Sequence, residues 1–107
     1  MRSLALLLVA LAFSAPALGK DAQAGKAKAA QVCAACHGPD GNKPSAPDQP
    51  ILAGQYYDYL VRALTDYKIG RRNNPIMKGF AGQLSRQDIE DLAAWFASQK
   101  SSLHDQR

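Results

Sequence analysis

Cysteine is scarce in this chain. It has two, Cys33 and Cys36, which excludes the disulfide framework that small secreted domains often use. Histidine is as rare, with His37 and His104 alone. A structural zinc site takes four protein ligands. With no second cysteine pair, and with His104 in a polar tail, that chemistry has too few donors. No segment alternates apolar and polar residues as a strand does, and no internal repeat is visible. A thioredoxin-like redox pair needs its C-x-x-C beside a βαβ unit, so it is excluded as well. Charge is mild, a formal +4 at pH 7, too little to argue for nucleic acid. The longest apolar run, Leu4 to Phe13, falls well short of the roughly 20 residues that span a bilayer. Beyond Met1 there is one methionine, Met77.

What is there starts with Cys33-Ala34-Ala35-Cys36-His37. Both cysteines of the chain lie in this stretch, three positions apart, with an imidazole immediately after. This is the C-x-x-C-H signature of c-type haem attachment. Each thiol can add across one haem vinyl group to form a thioether. The two alanines keep both sulfurs on one side of a single helical turn. The adjacent His37 then falls under the porphyrin plane, as proximal iron ligand. A plain disulfide between Cys33 and Cys36 would close a strained ring and leave His37 without a role.

The apolar run near the N-terminus has the form of a secretory leader. Arg2 gives the positive start, Leu4 to Phe13 the apolar centre, and Ser14, Ala15, Ala17 and Gly19 the small residues around a cleavage site. Cleavage is expected after Gly19, in Ala17-Leu18-Gly19, with Ala17 as the competing position. Residues 1–19 are then a leader and residues 20–107 a single domain, exported to the periplasm, with no membrane span in the mature chain. Losing Arg2 lowers the formal charge by one, and two haem propionates would bring the holoprotein close to neutral.

Three helices are expected. Asp21 can cap one that runs from Ala22 to Val32, with Gly25, Ala29, Val32 and Cys33 on one face. A glycine inside a helix costs about 1 kcal/mol against alanine; close approach of another helix would explain Gly25. Gln55 to Tyr67 carries Tyr57, Leu60, Val61, Leu64 and Tyr67 at helical spacing, and Gly70 suits its C-terminal cap. Ser85 to Asp88 has the form of a capping box, opening a helix to about Gln99 whose stripe is Ile89, Leu92, Ala93 and Phe96, with Trp95 at the edge. Residues 38–50, with four of the six prolines, and residues 71–83 are expected to be loops, and residues 100–107 a loose tail.

Met77 lies in the second of those loops, off every apolar stripe, and is poorly explained as core filler. As the sixth ligand opposite His37 it would give low-spin iron with a raised potential. That ligation leaves no open position for oxygen, peroxide or substrate. It suits electron transfer, not an enzyme, a gas sensor or a peroxidase. His104 is the competing ligand.

Cys33 to Gly38, Pro50 to Gln55, Met77, and Leu84 to Phe96 together, in this order, resemble class I cytochromes c, and more closely the bacterial cytochrome c4, c5 and c553 group. The resemblance implies an all-α cytochrome c fold packed around one covalent haem c. It implies crossed N- and C-terminal helices, with Trp95 at the crossing opposite Gly25. It also implies that the Pro50 carbonyl accepts from His37, with Arg71 as a propionate partner. The function implied is an exported monohaem one-electron carrier between redox protein partners. The alternative is a haem-bearing electron-transfer subunit of a larger dehydrogenase or oxidase complex. Lys43, Lys68, Arg71, Arg72 and Lys78 are expected around the haem edge.

Overall fold

Asp21 does what its position suggests. Its Oδ1 accepts from the backbone N–H groups of Gln23 and Ala24 at 2.9 and 3.1 Å, satisfying two donors that a helix start leaves bare. The computed structural model describes residue 5 and residues 19–103, and α1 spans Ala22–Val32. It is followed by a single turn, α2 (Ala34–His37), then α3 (Tyr57–Ile69), α4 (Pro75–Ala81) and α5 (Arg86–Ser98). There is no strand among the described residues. The all-α expectation therefore holds. No described helix is long and apolar enough to cross a membrane. The expected leader, except Ala5 and Gly19, and His104 lie outside the described residues.

α5 opens on the expected capping box. Ser85 Oγ accepts from the Asp88 N–H, and Asp88 Oδ2 accepts from the Ser85 N–H, both at 3.0 Å. The Ser85 amide holds the Asp88 carboxyl below its ordinary range. Ile89, Leu92, Ala93 and Phe96 are buried, as their spacing requires. α3 begins two residues later than Gln55 and ends at Gly70, whose φ of 82° is left-handed. Its face of Tyr57, Leu60, Val61, Leu64 and Tyr67 packs into the same cluster.

Gly25 sits where α1 crosses α5. A Cβ there would lie 1.9 Å from the Asp91 carbonyl oxygen and 3.0 Å from Trp95 Cβ. The crossing partner is thus the α5 backbone first and the Trp95 side chain second. The backbone cannot move aside as a side-chain tip can. Gly25→Ala is expected to destabilise the protein by about 3 kcal/mol, the upper end of overpacking costs, despite alanine's better helix propensity. Chemical denaturation of the two holoproteins checks this; an equal or higher midpoint for the variant would contradict it.

Two expectations are corrected. Residues 71–83 are not all loop, because α4 forms inside them. Asn74 Oδ1 accepts from the N–H groups of Ile76 and Met77 at 3.1 Å each, and Pro75 occupies the first helical position, where its missing N–H costs nothing. Gly79 and Gly82 suggest a loop, yet the capped seven-residue helix holds Gly79 inside it and ends on Gly82 as its cap. The described start of the tail, residues 100–103, is also not loose. Asn42 donates to the Lys100 carbonyl at 2.9 Å and accepts from the Ser102 N–H at 2.7 Å.

Candidate functional site

α1 ends and α2 begins at Cys33, whose carbonyl accepts from the N–H groups of Cys36 and His37 at 3.2 and 3.0 Å. That turn sets both sulfurs and the imidazole together. Gly38, at φ 84°, then reverses the chain. The loop that follows folds back on α2: Lys43 N–H donates to the His37 carbonyl at 3.1 Å and Ser45 N–H to the Cys36 carbonyl at 2.9 Å. Gln49 gathers the same loop, its Oε1 accepting from the Ser45 and Ala46 backbone and the Ser45 hydroxyl.

This folding delivers Pro50 to the imidazole. His37 is 6 % exposed, and its Nδ1–H donates to the Pro50 carbonyl at 2.9 Å. The bond fixes the ring's orientation and tautomer and leaves Nε2 as the nitrogen with a free lone pair. Cys33 and Cys36 form no disulfide. Burial, and then the neighbouring Cys36, push the Cys33 thiol up to about 11, so at neutral pH it is a thiol and not a thiolate.

His37, Cys33 and Cys36 line one cavity of about 410 Å³, and Met77 lines it too. Met77 arrives from α4, half-buried, while α3 supplies Leu60, Leu64 and Tyr67 and α5 supplies Leu92 and Phe96. The volume falls within the roughly 300–1,000 Å³ of cofactor and ligand pockets, and the walls are mainly apolar, as such pockets are. No cluster of three or more His, Cys, Asp or Glu side chains among the described residues could hold a metal ion by itself. Two thiols, one imidazole and one thioether around an apolar slot are instead the donor set for an iron porphyrin. The residues fit the group.

The rim differs from expectation in two cations. Arg72, not Arg71, lines the cavity. The turn after α3 decides this: Arg72 N–H donates to the Asp66 carbonyl at 3.1 Å, and the guanidinium then lies 4.8 Å from the Tyr67 ring centroid and 3.4 Å from the Tyr59 hydroxyl. Lys68 is no free member of a basic rim, because its Nζ donates to the Leu84 and Gly82 carbonyls. Lys43, Arg71 and Lys78 are exposed. Tyr59 and Tyr67 both reach the cavity, while Tyr57 packs on the core and carries the Lys20 ammonium over its ring at 4.1 Å.

The sequence profile of the cytochrome c family matches residues 22–100. Cytochrome c4 of Pseudomonas aeruginosa is 53 % identical over 98 residues, covering 92 % of this chain and 47 % of that protein. Cytochrome c-554(548) of Halomonas halodenitrificans is 42 % identical over 83 residues, covering 75 % of this chain and 98 % of that protein. Among solved structures, reduced recombinant cytochrome c4 from Pseudomonas stutzeri superposes with a TM-score of 0.72 at 47 % identity, over 79 % of this chain and 48 % of that one. The chain thus spans about half the length of the cytochrome c4 proteins it matches, and nearly all of the shorter relative.

Proposed function

The chain belongs to the cytochrome c family, and from that membership we propose that it is an exported, periplasmic monohaem electron carrier. Cys33 and Cys36 would hold one haem c by thioethers, and His37 and Met77 would ligate its iron. The observation that carries this reading is the convergence of all four side chains on a single cavity. When bound, the haem supplies a reversible one-electron Fe(III)/Fe(II) couple.

The chain's own part is to hold, orient and insulate. The α1–α2 junction presents both thiols on one turn. The Pro50 carbonyl keeps Nε2 as the coordinating nitrogen and raises its basicity. The apolar walls from α3 and α5 exclude water, and a dry site favours the less charged, reduced iron. A soft thioether from Met77 favours Fe(II) in the same sense. With His37 and Met77 both binding the iron, no coordination site would be left for substrate, which suits a carrier and not an enzyme.

Redox spectroscopy of the purified holoprotein tests this. The expected result is a low-spin spectrum of one covalent haem, with the weak far-red band of thioether-bound ferric iron. A high-spin spectrum that responds at once to cyanide would overturn it. Because the chain spans about half of the cytochrome c4 relatives, a second reading makes it the haem-bearing part of a larger assembly; size-exclusion chromatography with and without candidate redox partners separates the two.

Partner docking is expected at the cavity mouth. Between Asp66 and Asp88 there is no acidic residue, and Arg71, Arg72 and Lys78 are exposed there. Electron transfer with an acidic partner should slow as salt rises across the range where the Debye length falls from about 30 to about 8 Å. Stopped-flow rates independent of ionic strength would remove the steering role.

A further inference from the structure

Asp91 is a buried carboxylate that the electron-transfer site does not use. It is 7 % exposed and lies on α5, far along the chain from the segment it binds. Its Oδ1 accepts from the Asp21 backbone N–H at 2.8 Å and from Gln87 Nε2 at 2.8 Å. Gln87 Nε2 donates as well to the Gly19 carbonyl at 2.8 Å. No Lys, Arg or His side chain forms an ion pair with Asp91 among the described residues; the two that exist join Lys28 to Asp88 and Arg86 to Glu90. A carboxylate taken from water without a counterion is costly.

The missing cation has an evident source. Gly19 and Asp21 are the residues on either side of Lys20, and Gly19-Lys20 is the expected cleavage junction. Hydrolysis there removes the Gly19 carbonyl that Gln87 holds and leaves an ammonium on the Lys20 nitrogen, one residue from the N–H that Asp91 already binds. We propose that Asp91 and Gln87 form a receiving site for the α-ammonium of Lys20, so that leader cleavage supplies the counterion of a buried carboxylate and locks α1 onto α5. The proposal rests on the export reading above. Gln87 keeps its Nε2 on Asp91 Oδ1 and so holds the carboxylate in place for the new ammonium. The Lys20 side chain is held independently over the Tyr57 ring.

The other charges near this corner do not substitute for it. On α1 and its cap these are Asp21, Lys26 and Lys28; Lys26 lies over the Trp95 ring at 5.5 Å and Lys28 pairs with Asp88 at 3.8 Å. On α5 they are Arg86, Asp88 and Glu90, and Arg86 pairs with Glu90 at 3.2 Å. On α3 they are Asp58 and Tyr57. The Tyr57 hydroxyl's pKa is raised, mainly by burial and then by Glu90, Asp58 and Asp91, so it stays neutral as the α-amine titrates.

An amine that gains a carboxylate partner on folding has its pKa raised. Its stabilising effect is complete below the unfolded value of about 7.7–8.0 and disappears as pH rises through the folded value. The test uses the mature holoprotein with its amines reductively ¹³C-methylated, which keeps their charge and lets NMR follow each one. Intact mass must first give a chain starting at Lys20; another start overturns the proposal by removing its ammonium, and reports on the junction alone. With that start, the α-amine is expected to titrate about one unit or more above its ordinary value, and to return to it in Asp91→Asn. An ordinary α-amine pKa in the wild-type protein overturns the receiving site while leaving export and cleavage intact. That measurement stands even if Asp91→Asn fails to fold.

Discussion

Cys36→Ala is expected to yield almost no folded protein. The argument comes from what the helices have to pack on. Among the described residues the buried apolar ones are Ala29, Ala53, Leu60, Ala81, Leu84, Ile89, Leu92, Ala93 and Phe96, and of these Leu92 is the one large side chain that is fully enclosed. Four alanines among nine contribute little area. At the middle lies the cavity of about 410 Å³. Left unfilled, at about 24 cal/mol per Å³, it would cost up to about 10 kcal/mol. The cavity is open at its mouth, so this is an upper bound. A domain of this size has a total stability of roughly 5–13 kcal/mol. The two quantities are comparable, so the fold depends on the group that fills the slot. Removing one of its two tethers, in a chain with no spare cysteine, should leave mostly unfolded apoprotein open to proteolysis. Export yield, far-UV circular dichroism and the visible spectrum check this together. A haem-free Cys36→Ala protein that melts cooperatively would show that the helices hold each other without the cofactor.

The same dependence explains how much was legible in the sequence. The attachment motif was plain because covalent chemistry dictates its spacing. Three helices were plain because each has a local cap: Asp21, Gly70, and the Ser85–Asp88 box. α4 is less legible: Asn74 followed by Pro75 marks its start, but Gly79 and Gly82 are as compatible with a loop. Met77 stands out in the sequence for its chemistry, while its place on a helix is not legible there. The exchange of Arg71 for Arg72 has a different cause. Both residues follow the same left-handed glycine, and which one turns inward depends on the Arg72 N–H meeting the Asp66 carbonyl, a tertiary detail with no local sequence mark. Lys68 is similar: its exposure depends on whether the end of α4 is close enough to bind its ammonium. Asp91 looked like one more charge on a helix that presents several. Its burial follows from Gly25, which lets α1 come close enough to cover it.

Met77→Ala should change the iron far more than the fold. Met77 is half-buried on a helix already capped by Asn74, so its loss leaves α4 capped and in place. The thioethers are untouched, and the variant should purify red. If Met77 is the sixth ligand, the oxidised protein loses its weak far-red band. Its potential falls, because the ligand that favours Fe(II) has gone; a drop on the order of a tenth of a volt or more is expected, against the roughly 0.8 V that axial ligands span. Cyanide and carbon monoxide should bind readily. The nearest rivals for the open position are set by geometry. Lys78 is next in sequence but exposed. Helical residues adjacent in sequence point about 100° apart, so its ammonium reaches the iron only if α4 unwinds. Glycines at 79 and 82 make such unwinding cheap at high pH, where lysine loses its proton. A pH titration of the variant therefore separates water from lysine ligation: lysine would appear as a second low-spin form growing in with base. A spectrum and potential identical to wild type would mean that another group holds the sixth position. Closed ligation by His37 and Met77 would then no longer support the carrier reading.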